Sequence, residues 1–125
     1  PWGVTPPDPT LASCYCLYGK NTNCTFSDIA PTGALPKGQG QWGHKDLAGN
    51  MMEWVLDWWA DNWYAEGGNT CVDCANILLG EYRVLRGGSW VQTQATYFRN
   101  ASRAYDHPDT RLSSRGFRCA RDKNP

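Results

Sequence analysis

Apolar positions along this chain fall in short pieces, and the richest piece lies near the middle. From Leu47 to Trp59 the sequence reads LAGNMMEWVLDWW. Its short length, bounded by Gly49-Asn50 and Asp61-Asn62, predicts a buried strand followed by a turn, with a helix as the alternative. Tyr82 to Leu85 predicts a second strand, halted at Gly87-Gly88. Ser89 to Ala104 predicts a third, with Tyr97, Phe98 and Ala101 at its apolar positions, and RGFRCA from Arg115 to Ala120 predicts a short closing strand. Residues 1 to 45 carry Pro6, Pro7, Pro9, Pro31 and Pro36, and a glycine-rich stretch from Gly33 to Gly43. They show no sustained period and read as irregular coil stapled by cysteines. No repeat, low-complexity tract or linker marks a second unit, so residues 1–125 read as a single domain.

Composition narrows the partners. A chain of 125 residues buries about two-thirds of its unfolded surface, enough for one core. Its 12 basic and 12 acidic side chains cancel, which removes the cationic face that a nucleic-acid binder or a polybasic membrane-surface protein needs. No apolar run approaches the ~20 residues of a membrane-spanning helix, so no span is expected.

Cysteine usage sets the compartment. Cys14, Cys16, Cys24, Cys71, Cys74 and Cys119 in so short a chain suggest disulfides and a secreted, periplasmic or cell-surface location. The sequons Asn23-Cys24-Thr25 and Asn100-Ala101-Ser102 are compatible with export. Of the ~15 pairings that six cysteines allow, the expected set is Cys16 with Cys24, Cys71 with Cys74, and Cys14 with Cys119. A zinc site from Cys14-x-Cys16 and Cys71-x-x-Cys74 is the alternative, though C-x-C is poor zinc spacing. The chain shows no signal-peptide pattern and opens on Pro1-Trp2-Gly3 without Met, which suggests a processed or truncated product.

Four separated blocks carry a resemblance. They are Asp46-Leu47-Ala48-Gly49-Asn50-Met51-Met52-Glu53-Trp54, then Asp57-Trp58-Trp59, then Arg83-Val84-Leu85-Arg86-Gly87-Gly88-Ser89-Trp90, and finally Gly116-Phe117-Arg118-Cys119-Ala120-Arg121. In this order and spacing the chain resembles the sulfatase-modifying-factor, or formylglycine-generating-enzyme, family, and Pro1-Trp2-Gly3 resembles the block that precedes them there. The resemblance implies an α+β fold of the C-type-lectin class, loop-rich, with short antiparallel strands and structural calcium. It also implies that the chain is the C-terminal part of the family domain, because the usual N-terminal segment ending in a Leu-Pro-Thr-Glu-x-Glu-Trp-type helix has no counterpart. Either the chain is a fragment or a partner chain completes its core.

Calcium takes ~6–8 hard oxygen ligands. The family pattern would supply them from the Asp46 side chain, the Gly49 and Met51 carbonyls and the Glu53 carboxylate, with Gly49 relieving crowding in the loop. Spacing without the resemblance favours a different reading, with Asp46 capping a turn and Glu53 paired with an arginine. A second calcium site of the family does not carry over, since the corresponding stretch is the cysteine-bearing segment from Ser13 to Cys24.

Catalytic chemistry does not carry over either. Enzymes of the family hold copper(I) with two cysteines after the Arg-Gly-Gly-Ser block, and those positions fall here on Gln92 and Tyr97, neither of which is a thiolate. No copper is therefore expected. The sulfoxide-forming branch uses a histidine-held iron on a separate helical domain, absent here, and His44 and His107 read as solvent-facing loop residues. Ser89 lacks the second glycine of a nucleophile elbow and reads as a structural hydrogen-bonding group. Asp57, Asp61 and Glu66 read as a solvated rim rather than a glycosidase pair.

The arginines gather in the C-terminal third, and Arg86 and Arg118, inside the motif blocks, are expected to bind backbone carbonyls or carboxylates. Trp54, Trp58 and Trp90 read as core. Trp63 and Tyr64, with Gln92 and Gln94 of the loop region Gln92 to Thr96, form the expected ligand surface for a protein or glycan. The sequence thus reads as a non-catalytic, calcium-stabilised extracellular binding or assembly module. The alternatives are a divergent oxidase whose catalytic groups lie in a missing N-terminal part, and a structural subunit.

Overall fold

The structure is a computed structural model, and it describes residues 6–19, 23–66, 68 and 70–120. Pro1-Trp2-Gly3 and Arg121 of the family blocks lie outside them.

Strand β1 spans Met52–Trp58, inside the predicted apolar stretch and with no helix there. It starts where it does because the preceding loop is turned by three residues with left-handed backbone, Asp46 at φ 55°, Gly49 at 78° and Asn50 at 61°. A four-residue helix α1 (Trp63–Glu66) follows, then β2 (Arg83–Arg86), β3 (Ala104–Asp106) and β4 (Arg115–Gly116). Strand β2 stops at Gly87-Gly88, as the sequence predicts, because both glycines hold positive φ, 91° and 71°.

These strands form one mixed sheet in the order β3-β2-β1-β4. Strand β1 runs antiparallel to β2, with Trp54 opposite Leu85 and a bulge before Trp58 meets Arg83. Strand β4 joins the other side of β1 in parallel through Met52 and Glu53. The chain is therefore α+β, a small mixed sheet with few helical residues, and the expectation of an antiparallel sheet holds for three of its four strands.

Two strand predictions need correction. The third strand, predicted within Ser89 to Ala104, overlaps that range only at its last residue: Ala95–Phe98 forms a 3-10 turn, and the strand runs from Ala104 to Asp106. Its backbone is diverted by local bonds, Tyr97 N–H to the Gln94 carbonyl and Ser102 N–H to the Arg99 carbonyl, which compete with a ladder. The closing strand keeps only Arg115 and Gly116 of RGFRCA, and Phe117 stands 76% exposed beyond it.

The core sits on both sides of β2, where Val84 and Leu85 are 1% and 0% exposed on opposite faces. Met52, Trp90, Phe98, Ala48, Ala12 and Cys14 continue it. Of the tryptophans predicted as core, Trp90 is buried, whereas Trp54 and Trp58 are half-buried; Trp58 lies under the Arg83 guanidinium, 3.8 Å from its ring centre.

Loops hold the remainder together by backbone bonding rather than regular structure. Asn50 N–H donates to the Ser13 carbonyl at 2.8 Å, Trp90 N–H to the Asn50 carbonyl at 2.9 Å, and Cys16 N–H to the Trp90 carbonyl at 2.9 Å. The Asn50 side chain repeats the pattern, accepting from Ala30 N–H at 2.9 Å and donating to its carbonyl at 3.0 Å. Asp28, fully buried, accepts from Gly19 N–H at 2.7 Å and Thr25 N–H at 3.0 Å, which satisfies a carboxylate that would otherwise be costly to bury.

Candidate functional site

Two of the three expected cysteine pairs form. Cys16 with Cys24 and Cys71 with Cys74 stand at disulfide distance, which removes both halves of the zinc alternative. The third, Cys14 with Cys119, does not form. Cys14 is sealed in the cluster with Ala12, Ala48 and Phe98, while Cys119 is exposed beyond β4, so the two thiols occupy different environments. Burial, with Asp8 adding to it, pushes the Cys14 thiol up to about 12, so it behaves as a small apolar side chain.

The loop before β1 gathers charge. Asp46, Met51 and Glu53 line one cleft of about 240 Å³ together with Thr32, Lys45, Asn50 and Arg118. Gly49, the fourth residue of the calcium set, is buried away from it against Ser13, where an added Cβ would meet the Ser13 carbonyl at 2.5 Å. Within the cleft Asp46 Oδ2 accepts from Gly33 N–H at 2.7 Å. The Arg118 guanidinium grips Glu53 with both arms, Nε to Oε2 at 2.7 Å and Nη2 to Oε1. It also donates to the Lys45 and Asp46 carbonyls, each at 3.1 Å. The hydrogen bond to Glu53, opposed by burial and aided by the Glu53 and Asp46 charges, raises the Arg118 guanidinium above its ordinary value. Arg118 thus places a cation at this loop, with one hydrogen bond to each Glu53 oxygen.

The turn after Gly88 is closed internally. Gln92 Oε1 accepts from the Ser89 backbone N–H and from its hydroxyl at 3.0 Å, and Gln92 Nε2 reaches Met52 Sδ at 3.4 Å. Ser89 is fully buried and bonds structurally. Tyr97 is 42% exposed on the 3-10 turn, and Gln94 is exposed at its start.

The four predicted ligand residues do not converge. Trp63 is half-buried and lines a cleft of about 420 Å³ with Trp59, Leu78 and Leu79, whereas Tyr64, Gln92 and Gln94 are outside that lining. Tyr64 belongs to an arginine stack: its hydroxyl accepts from Arg86 Nη2 at 2.8 Å, and Arg103 lies 4.9 Å from its ring and 4.4 Å from that of Trp59. Arg86 also donates to the Asn100 and Ser102 carbonyls at 3.1 Å, the backbone role expected of it. Asp57 and Asp61 are taken up by Asn76 N–H and the Trp59 indole N–H. His44 and His107 are exposed. No group of three or more His, Cys, Asp or Glu side chains gathers among the described residues.

Sequence reasoning missed Asn76, which is buried and ties the segment after the Cys71–Cys74 bridge to β1. Its Nδ2 donates to the Trp58 carbonyl at 2.9 Å and its own carbonyl accepts from Trp58 N–H at 2.8 Å. One signal for it is the isolated amide at the head of the aliphatic run Ile77-Leu78-Leu79.

A small mixed sheet whose strand ends are joined by the Asp46-to-Glu53 loop, the Gly87-Gly88-Ser89 turn and the Arg118 clamp defines an α+β domain of the type that carries these motifs. The chain belongs to the FGE-sulfatase family, the sulfatase-modifying factor enzyme 1-like domain, which it matches over residues 3–123. It is 36% identical over 101 residues to a formylglycine-generating enzyme of Thermomonospora curvata, covering 78% of this chain and 32% of that protein. It is 39% identical over 89 residues to a formylglycine-generating enzyme of Streptomyces coelicolor, covering 70% and 27%. With a hercynine oxygenase of Mycolicibacterium smegmatis it shares 30% identity over 126 aligned residues, 98% of this chain and 27% of that one. The chain spans about a third or less of the length of these curated relatives. Among the described residues no helix is long and apolar enough to cross a membrane.

Proposed function

We propose that this chain is a non-catalytic binding or assembly module on a formylglycine-generating-enzyme-like domain of C-type-lectin-like architecture, working outside the cytoplasm. One observation carries the reading. The two positions to which the family resemblance assigns copper thiolates hold Gln92, whose amide is consumed by Ser89 and Met52, and Tyr97, a phenol on an exposed turn. Neither offers the soft anionic sulfur that copper(I) requires. Two cysteine pairs at disulfide distance support an oxidising compartment. Copper(I) titration combined with an oxidation assay on a cysteine-containing sulfatase peptide tests the reading. Neither stoichiometric copper uptake nor formylglycine is expected, and turnover would overturn it.

A second reading, a divergent oxidase or protein-modifying enzyme, is favoured by the similarity to a hercynine oxygenase along nearly the whole chain and to formylglycine-generating enzymes. Its catalytic groups would lie outside these residues. Recovery of a longer native polypeptide carrying additional metal ligands would support it.

Calcium support at Asp46, Gly49, Met51 and Glu53 enters the proposal in one form only. The cleft gathers three of those residues, but Arg118 engages both Glu53 oxygens, so the ion would bind by replacing the guanidinium. Comparing stability in calcium and in chelator decides between the two cations.

A further inference from the structure

The molecule exposes two apolar features that match one another. The first is a cleft of about 730 Å³ beside β4, one of the two edge strands of the sheet. Its apolar wall includes Trp54, Leu112 and Phe117, with Leu112 and Phe117 52% and 76% exposed. Arg83, Arg111 and Arg115 also line it, and no carboxylate does. Arg115 Nε is buried there without a hydrogen-bond partner, although the same guanidinium reaches Asp106 at 3.2 Å through Nη2. An apolar cleft ringed by cations accepts an apolar group flanked by anions.

The second feature has that composition. Between Thr70 and Tyr82 the chain has no cationic residue, and it carries Asp73 and Glu81. Val72, Ile77, Leu78 and Leu79 in this segment are 71–86% exposed, an aliphatic tip that a monomer leaves in water. The tip is held in place at its base by the Cys71–Cys74 bridge and by Asn76 on β1. A preorganised tip loses little conformational entropy on docking.

We infer that the acidic aliphatic tip around Ile77-Leu78-Leu79 of one copy docks in the arginine-lined cleft at Trp54, Leu112 and Phe117 of a second copy. The two surfaces differ, so each copy offers one tip and one cleft. The contact closes as a reciprocal pair or a ring, or it propagates as a chain. Asp73 and Glu81 disfavour an anionic lipid surface as the occupant, because they would face like charge. Self-docking does not depend on whether the chain is catalytic, so it stands or falls separately from the function proposed above.

Sedimentation velocity of the protein under non-reducing conditions, from low micromolar to about 500 µM, reads it directly. Concentration-dependent association is expected, weakened at least about tenfold by Leu79→Asp and by Arg111→Glu. Mixing the Arg111→Glu chain with a Glu81→Arg chain is expected to restore association between them. As a second readout, a synthetic peptide of residues 70–82 closed by its disulfide is expected to shift the amide resonances of Leu112 and Phe117. Circular dichroism of each variant keeps loss of docking distinct from loss of fold. A parent protein that stays monomeric and leaves those resonances unmoved by the peptide overturns the inference and gives the cleft to a different chain. Association unchanged by both substitutions overturns it as well.

Discussion

Replacing Arg118 by Gln tests how much the guanidinium contributes to closing the loop before β1. The substitution removes the paired contact to Glu53 and the donors to the Lys45 and Asp46 carbonyls. The pair is only partly shielded, with 39% of the Arg118 side chain and 23% of that of Glu53 exposed. Exposed ion pairs contribute ~0.2–1 kcal/mol, and hydrogen bonds to charged groups about 1.5–3 kcal/mol when well buried. Forked geometry with partial solvent access places the loss at about 1–2 kcal/mol, a fall of about 4–8 °C in Tm for a domain of this length. Arg118→Lys keeps the charge without the fork and should recover less than half. The assay is chemical denaturation under non-reducing conditions, in excess EGTA and again in calcium. In chelator the parent should be fully folded. The glutamine variant frees Glu53, so calcium should stabilise it more than the parent, by about 2.7 kcal/mol at a hundredfold excess over Kd if the site then binds. An Arg118→Gln variant within about 0.3 kcal/mol of the parent in EGTA would refute the clamp.

Other consequences are direct. Leu85→Ala, at a fully buried position opposite Trp54, should cost about 2–5 kcal/mol in urea unfolding, a large share of the stability of a small domain. Gly49→Ala places a Cβ at φ 78° and 2.5 Å from the Ser13 carbonyl, so a loss above about 2 kcal/mol is expected, and a neutral result would disprove the packing of that loop. Asp106 is pulled below its usual carboxyl value: burial opposes the shift, but the Thr110 hydroxyl, His107 N–H and Arg115 outweigh it. A depressed folded value contributes stability that is present above the unfolded value near ~3.9 and lost as pH falls through the folded one. Asp106→Asn should therefore flatten the part of the acid-unfolding curve that lies below about pH 4.

Motif spacing made the family and the principal strands legible. The apolar density from Met52 to Trp58 and around Arg83 to Leu85 gives β1 and β2, since short β-branched and aromatic runs ended by glycine leave few alternatives. Sequence could not show that Ser89 to Ala101 forms turns, because that outcome depends on which carbonyls the backbone meets locally. Nor could it show that Arg118 meets Glu53, because the sequence places Arg118 65 residues away and only the parallel pairing of β4 with β1 brings it alongside.

The cysteines divide in the same way. Cys16 with Cys24 and Cys71 with Cys74 are short-range pairs of separation 8 and 3, so proximity along the chain already brings them together. Whether Cys14 could reach Cys119 was a tertiary matter, decided when the first was packed into the core and the second left exposed beyond β4. What the chain alone determined was its family, its neutral charge and its lack of thiolates at Gln92 and Tyr97, properties carried by residue identity and local order. Which charges neutralise one another and which aromatics and aliphatic side chains stay in water were decided by folding. Those properties depend on distances between residues remote in sequence, which the sheet and the bonded loops around it set.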